Sequence, residues 1–195
     1  MTKTPETPDW GAQSALLTKY ISPDIISQWG KQKGSKWLAD LRAEVIAGES
    51  VLRETPEGLV RSVSVTRIYV LYNHPTRGPL ALVEDRQEFK DGLPTRQRAL
   101  NCISEKLLPQ EKRNPRRGAI RALKEEIGLG GVEEERLIEV DILSIKEDSH
   151  SYPGLVTEYI IYSFSLTLED EEFEKMRLQE EQGNTVTHFV WRKKN

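Results

Sequence analysis

The most informative stretch of this chain is Arg121-Ala122-Leu123-Lys124-Glu125-Glu126-Ile127-Gly128-Leu129. It places an arginine one helical turn before two adjacent glutamates and closes with a glycine. Upstream, Asn114 suits the N-cap of a helix and Pro115 its first position, while Gly128 suits the left-handed residue that follows a last turn. The sequence therefore predicts one helix that begins at Pro115 and ends just before Gly128.

One side of this helix is apolar and the other is charged. At about 100° per residue, three residues fall together on a side that is expected to face the core: Ala119, Leu123 and Ile127. Glu125 and Glu126 fall on the opposite side, and the same winding places Ala122 between them. Arg121 lies one turn before Glu125, in position for an ion pair.

Two adjacent carboxylates on a rigid helix are suitable ligands for a divalent metal ion. A hard cation such as Mg²⁺ prefers oxygen ligands and keeps part of its coordination shell for water and substrate phosphates. The alternative is a solvated charged face, because Glu-Glu pairs are common on surface helices.

The stretch resembles the second half of the Nudix box, the signature of metal-dependent hydrolases that cut diphosphate linkages. Upstream, Lys106 and Glu111 match the lysine and the glutamate of the front half, whereas Ser104-Glu105 replaces its glycine pair. The segment between Glu111 and Arg121 is two residues longer than in the family. Ala122 stands where the family has a glutamate.

This resemblance implies an α/β (α+β) fold with a Nudix-like mixed sheet sandwiched by helices, and hydrolysis that depends on Mg²⁺ or Mn²⁺. It implies Glu125, Glu126 and Glu111 as metal ligands, with Glu111 either a direct ligand or an acid behind the ligands. Arg121 would hold the carboxylates in place. Ala122 lacks the carboxylate that helps to build the metal cluster or to position the water.

The missing carboxylate leaves two readings of the neighbouring residues. Glu105 either returns a carboxylate to the site or points to solvent. Many relatives need one more acid from a later loop, and the sequence offers three candidates without choosing among them: Glu158, Glu180 and Glu181.

Basic residues near the helix start suggest an anion site. Arg116 and Arg117 occupy the first turn, where the helix dipole disfavours cations. A phosphate-bearing ligand would offset that cost, since arginine binds phosphate oxygens well. The alternative is that both side chains extend to solvent or pair with the acidic segment 169–181. The resemblance adds Lys106 as a third candidate for substrate binding.

Composition narrows the class of protein. The chain has 195 residues, a net charge of -3 and one cysteine, Cys102. This charge argues against a general nucleic-acid-binding surface, and a single cysteine excludes an internal disulfide. No apolar run is long enough to span a bilayer, and the N-terminus lacks a signal-peptide core. The cytoplasm is therefore the expected compartment.

The chain is expected to divide into an N-terminal helical extension, residues 1–55, and a Nudix-like domain, residues 56–195. In the extension, Ser22-Pro23-Asp24 predicts a helix start. A second helix, 36–47, carries an apolar stripe of Trp37, Leu41 and Val45. This stripe is expected to pack on the main domain, with a dimer contact or a substrate lid as the alternative. Strands are predicted at 62–72, 80–83, 99–103, 137–145, 157–166 and 185–191.

Two functions follow from this sequence. The first is a metal-dependent hydrolase that cleaves a diphosphate linkage in a small phosphorylated metabolite, such as one of the nucleoside diphosphate-X type. The second is a catalytically degenerate Nudix-like module that binds a phosphorylated ligand or a partner. Ala122 and the lost glycine pair favour the second, and the oligomeric state, including a homodimer, is left open.

Overall fold

The computed structural model describes residues 9–32 and 34–194. In chain order its elements are α1 Trp10–Tyr20, α2 Pro23–Ile26, α3 Leu38–Ile46, β1 Ser50–Thr55, β2 Gly58–His74, β3 Gly78–Phe89, β4 Arg96–Leu100, β5 Ile103–Lys106, α4 Pro115–Ile127, a short 3-10 helix Glu134–Arg136, β6 Ile138–Asp148, β7 Val156–Thr167, α5 Asp170–Lys175, β8 Gln179–Gln182 and β9 Thr185–Lys193. The predicted α+β class is confirmed. None of the described helices is long and apolar enough to cross a membrane.

The strands in the described part of the chain form one sheet. Its main path runs β6-β7-β2-β3-β9-β8, while β1 and β5 pair with β2, and β4 pairs with β3. β2 and β3 form the predicted antiparallel hairpin, with His74 opposite Gly78. β9 pairs antiparallel with both β3 and β8, so β8 lies at one end of the sheet.

Internal contacts divide the chain into two compact units. The first comprises the residues up to Val65 together with Lys106–Asn114 and Ile142–Ile161. The second comprises Thr66–Glu105, Pro115–Asp141 and the residues from Tyr162 onward. The extension predicted for 1–55 falls in the first unit, except that 1–8 and 33 lie outside the described residues. Its boundary at residue 55 stays a prediction.

The first unit has an apolar core of its own, to which α1 and α3 contribute. Leu41 and Val45 are fully buried in it, as the predicted stripe requires. Trp37 was wrongly placed in that stripe, because its side chain is 56% exposed. Trp37 is the N-cap residue of α3 and has an extended backbone, so it does not follow the helical spacing. Its ring packs against Gly30, where the Cβ of any other residue would lie 2.1 Å from the ring.

A buried ionic network lies beside this core. The carboxylate of Glu44 accepts a hydrogen bond from Arg61 at 2.6 Å and one from Ser50 at 2.9 Å. Arg61 and Glu44 are only 3% and 6% exposed, so the pair is desolvated. Burial raises the pKa of Glu44, but the charges of Arg61 and Lys106 outweigh it and hold the pKa well below its ordinary value. Lys36 adds a further ion pair at 2.8 Å.

The second unit is built around α4 and the sheet. Its core joins residues of α4 to residues of β2, β3, β7 and β9: Ala119, Leu123, Ile127, Ile68, Leu82, Phe164 and Phe189. The predicted limits of α4 are confirmed, since the helix begins at Pro115 and Gly128 follows it with a φ of 75°. α4 therefore holds its C-terminal glutamates at a fixed position on the sheet.

The long strands were predicted correctly, and so was the start of α2, which has Ser22 as its N-cap and Pro23 as its first residue. In place of one strand at 99–103, the structure has β4 and β5, and Ala99 within β4 has a φ of 53°. β1, α5 and β8 were not predicted. α5 and β8 are short and strongly acidic, and neither shows the apolar periodicity by which an element is recognised in a sequence.

Candidate active site

The centre of the candidate site is Glu126, near the C-terminal end of α4. By the same winding, its position at about 240° falls between those of Ala122 and Ala119, on the arc that faces the core. The side chain is therefore half-buried, and its pKa is raised to about 8. Burial is the largest cause, and the negative charges of Glu180 and Glu105 follow.

Glu180, on β8, is the closest partner of Glu126. A hydrogen bond joins the two carboxyl groups and raises the pKa of Glu126, which therefore donates, while it lowers the pKa of Glu180, which accepts. The pKa of Glu180 is nevertheless raised, because burial and the charge of Glu105 outweigh this bond and the opposing charge of Arg177. The two side chains thus share one proton where two charges would repel.

Glu84, on β3, is an acid of this site that the sequence reasoning missed. Its side chain is only 11% exposed, and burial raises its pKa against the opposing charges of Arg98 and Arg96. The Arg98 Nε and Glu84 Oε1 atoms are 3.1 Å apart without hydrogen-bond alignment, so neither atom has a hydrogen-bond partner. One feature of the sequence could have indicated Glu84, namely that it is an acidic residue directly after the apolar strand residues 80–83.

The backbone around Glu84 is irregular. The pairing of β3 with both β4 and β9 shifts register between Glu84 and Arg86. On β4, Ala99 adopts a left-handed φ of 53°, which is costly for a residue with a side chain. Bulges and strained residues occur preferentially at functional sites, where they aim a side chain. Glu84 is the side chain at this irregularity.

Glu125 lies outside the buried arc and is exposed. Arg121 Nη1 donates to its carboxylate at 2.9 Å, which is the predicted pair one turn apart on the helix. Glu125 and Glu126, adjacent in sequence, therefore differ in environment. Glu125 is held by an arginine at the surface, and Glu126 is turned toward other acids.

An open pocket of about 650 Å³ adjoins these acids. Its lining comes from the end of α4, from the two residues before β8 and from β8 itself: Glu125, Arg177, Leu178, Gln179, Glu180 and Glu181. Glu181 is paired with Lys90 at 2.7 Å, as Glu125 is with Arg121. Of the three later acids proposed from the sequence, Glu180 is the one joined to Glu126 by a hydrogen bond.

Glu111 and Lys106 belong to the first unit, where each has a partner. Glu111 is buried, and its Oε2 accepts a hydrogen bond from the Leu108 N–H at 2.8 Å. Lys106 forms ion pairs with Glu44 at 2.7 Å and Glu49 at 3.1 Å. Their predicted roles in metal and substrate binding stay predictions.

Arg116 and Arg117 bind groups of the protein that follow α4. Arg116 donates to the main-chain oxygens of Glu134 (3.0 Å) and Leu137, and its guanidinium lies 5.4 Å from the Phe164 ring centroid. Arg117 pairs with the Glu134 side chain at 3.3 Å. These contacts offset the cost of cations in the first helical turn, which had suggested a phosphate ligand.

Ala122 requires a correction. It was predicted to sit at the centre of the charged face, but it is fully buried in the apolar core. The buried face of α4 is wider than the face predicted from Ala119, Leu123 and Ile127. Gly118 and Ala122 are buried as well, because they are small enough to pack closely. Ala122 therefore contributes to helix packing.

Glu105 is half-buried and close enough to raise the pKa of both Glu126 and Glu180. This placement agrees with the reading in which Glu105 returns a carboxylate to the site. Within residues 9–32 and 34–194, however, no three His, Cys, Asp or Glu side chains are close enough together to form a ready-made metal site. The acids of the second unit are neighbours whose side chains are not arranged as a coordination shell.

The chain was compared with known proteins. No protein-family model and no curated protein sequence matches it. It is similar to the NUDIX domain of Shewanella oneidensis NrtR in complex with ADP ribose, at 9% identity and a TM-score of 0.39, over 67% of this chain and 71% of that chain. It is also similar to a C. elegans Ap4A hydrolase, at 14% identity and a TM-score of 0.34, over 64% and 78% of the two chains. A third is the M. smegmatis Nudix hydrolase RenU, at 12% identity and a TM-score of 0.33, over 72% and 78%. These similarities are distant, so the case for a function rests on the side chains of this protein.

Proposed function

We propose that the protein is a divalent-metal-dependent hydrolase that cleaves a diphosphate linkage in a small phosphorylated metabolite, of the nucleoside diphosphate-X type. The observation that carries this proposal is the placement of Glu126 among Glu180, Glu105 and Glu84 beside an open pocket, where their negative charges raise its pKa. Buried acids that repel one another are rare unless a function requires them, and perturbed pKa values are concentrated at functional sites. A cation that replaces the proton would relieve the repulsion.

The donor set is chemically suited to Mg²⁺ or Mn²⁺, since it consists of carboxylate oxygens. Glu126 and Glu180 would hold the ion, with Glu105 and Glu84 contributing negative charge nearby. What such an ion supplies when bound is charge neutralisation at the diphosphate and activation of a water molecule. A shift of the four side chains toward one another would accompany binding, because they are not spaced as a coordination shell without it.

The other residues of the site have supporting roles in this proposal. Arg121 holds Glu125 at the pocket wall, which keeps this carboxylate available to ligand-bound water or to a second ion. Arg98 balances the charge of Glu84 within the sheet. The open pocket admits the diphosphate and leaves its substituent groups near Leu178 and Gln179.

The test is turnover of a panel of diphosphate metabolites, including ADP-ribose and diadenosine tetraphosphate, with Mg²⁺ or Mn²⁺ and with EDTA. Wild-type protein should release product only with metal, and Glu126→Gln should lower kcat by at least about 100-fold, as expected for loss of a metal ligand or catalytic base. Glu171→Gln is the matched control, because Glu171 is an exposed glutamate on α5 that pairs with Lys175. Turnover in EDTA, or full activity of Glu126→Gln, would reject the assignment.

A second function, a binding module without efficient hydrolysis, is favoured by one specific observation. The described acids do not form a ready-made metal site, and no box glutamate stands at the buried position of Ala122. This module should be stabilised by ADP-ribose in EDTA, with a higher melting temperature and no product. Stabilisation that strictly requires Mg²⁺ and is accompanied by turnover would reject it.

A further inference from the structure

Arg177 lies across the C-terminal end of α4 and is fixed there by main-chain contacts. Its own N–H donates to the Ile127 carbonyl at 2.8 Å. Its Nη2 donates to the carbonyls of Glu125 at 2.9 Å and Lys124 at 3.3 Å. These carbonyls carry the partial negative charge of the helix dipole, so a cation is stabilised at this place.

The rest of the guanidinium is only partly used by the protein. Its Nε lies against Gly128, where a Cβ would come within 2.8 Å of it. Nη1, with two N–H groups, donates to no acceptor in residues 9–32 and 34–194. An arginine whose position is set by one terminal nitrogen therefore offers the other to a ligand at little cost in conformational entropy.

Arg177 also differs from the neighbouring basic residues in how its charge is used. Two of the three pocket carboxylates, Glu125 and Glu181, already have their own cations in Arg121 and Lys90. The third, Glu180, is bound to Glu126. Arg177 is the basic residue among the lining residues, and its charge acts on Glu180. Among the residues that the structure describes, no carboxylate lies within ion-pair distance of it.

We propose that Arg177 is a substrate-binding residue that donates from Nη1 to a non-bridging oxygen of the phosphate group farther from Glu126. This inference rests on the proposed function, because it uses the same pocket and the same class of ligand. It assigns the recognition of the diphosphate to α4 and to the segment 177–181. Arg116, Arg117 and Lys106, which the sequence suggests for substrate binding, contact protein groups in this structure, and their roles in substrate binding stay predictions.

The inference is tested with methylenediphosphonate, a diphosphate analogue that cannot be hydrolysed, titrated with Mg²⁺ into the full chain by calorimetry. Arg177→Gln keeps an amide that can donate to the α4 carbonyls and removes the charge. Loss of a charge-assisted hydrogen bond should raise Kd by at least about tenfold. Lys175→Gln is the matched control, because Lys175 is a cation two residues away that is paired with Glu171 and does not line the pocket.

A merely structural role predicts a different pattern, with a lower melting temperature and an unchanged Kd. If Arg177→Gln does not fold, Arg177→Lys is measured in its place. Lysine keeps the charge but cannot donate to the carbonyls and to the ligand from separate nitrogens, so weaker binding is still expected. An unchanged Kd in the folded variant, or no binding by the wild type, overturns the inference. Binding that depends on Arg177 without turnover of any diphosphate overturns the hydrolase and leaves Arg177 as a phosphate-binding residue.

Discussion

The carboxyl groups of Glu126 and Glu180 are hydrogen-bonded to each other, although one belongs to α4 and the other to the edge strand β8. The pKa of each is raised, so the pair retains a proton at a pH where two solvated glutamates would have lost theirs. Such a pair stabilises the folded protein only while it is protonated. Its effect on stability therefore depends on pH in a direction that can be predicted.

Between the ordinary pKa of about 4.5 and the folded value of about 8, the folded protein binds more protons at Glu126 than the unfolded chain does. Stability in EDTA should therefore fall as pH rises through this window, and Glu126→Gln should remove most of the fall. At pH 8 the variant should be more stable than wild type by about 1–3 kcal/mol, measured by urea unfolding. Parallel pH profiles for the two proteins would contradict the shared proton, and Glu171→Gln provides the control.

Ala122→Glu, which introduces the glutamate found at the matching position of the Nudix box, should damage the protein. Ala122 is fully buried among apolar side chains, and a carboxylate placed there would have neither solvent nor a cation. The expected loss of stability is more than about 3 kcal/mol. Lys124→Glu adds a carboxylate to an exposed position of the same helix and should cost far less. A stable and more active Ala122→Glu protein would show that α4 can turn this position toward the pocket.

Glu44→Ala should unfold the first unit more readily, because it leaves the buried Arg61 without its carboxylate. Loss of one partner of a buried pair costs about 3–5 kcal/mol, whereas Glu54→Ala, which removes exposed contacts with Lys19 and Tyr20, should cost far less. The folded pKa of Glu44 is lowered, so its contribution is present above the ordinary value near 4.5 and is lost as pH falls below it. Acid denaturation monitored by circular dichroism should accordingly show a shallower acid limb in Glu44→Ala. An unchanged acid limb would contradict the depressed pKa.

Gly128→Ala should lower stability by about 1–2 kcal/mol, because residue 128 has a left-handed φ of 75°. The added methyl group would also meet the Nε of Arg177 at 2.8 Å and displace its guanidinium. Gly130→Ala is the control, since a Cβ there meets only the Lys124 side chain, at 3.9 Å and beyond. Equal melting temperatures for the two variants would show that the end of α4 adapts to a side chain.

The sequence predicted α4 and its limits because the signals are local. Asn114, Pro115 and Gly128 mark the ends, and the apolar spacing marks the face. The partners of Glu126 are not set by local signals, because Glu84 and Glu180 belong to strands far away in the chain. Glu180 was therefore one of three candidates that the sequence could not choose among, and Glu84 was missed. The prediction that Ala122 lies on the charged face was wrong for another reason. A helical wheel shows which way each side chain points, but it does not show how much of the helix surface the sheet covers.

All the pocket residues other than Glu125 come from one continuous five-residue segment, Arg177–Glu181, between α5 and the end of the sheet. The core of the second unit ends just before it, at the buried Met176. Under the proposed function, substitutions at Leu178 and Gln179 would alter ligand preference and leave the contacts of Arg177 and Glu180 with α4 in place. Apart from Glu125, the lining of the pocket and the core of the second unit are thus encoded by separate stretches of the chain.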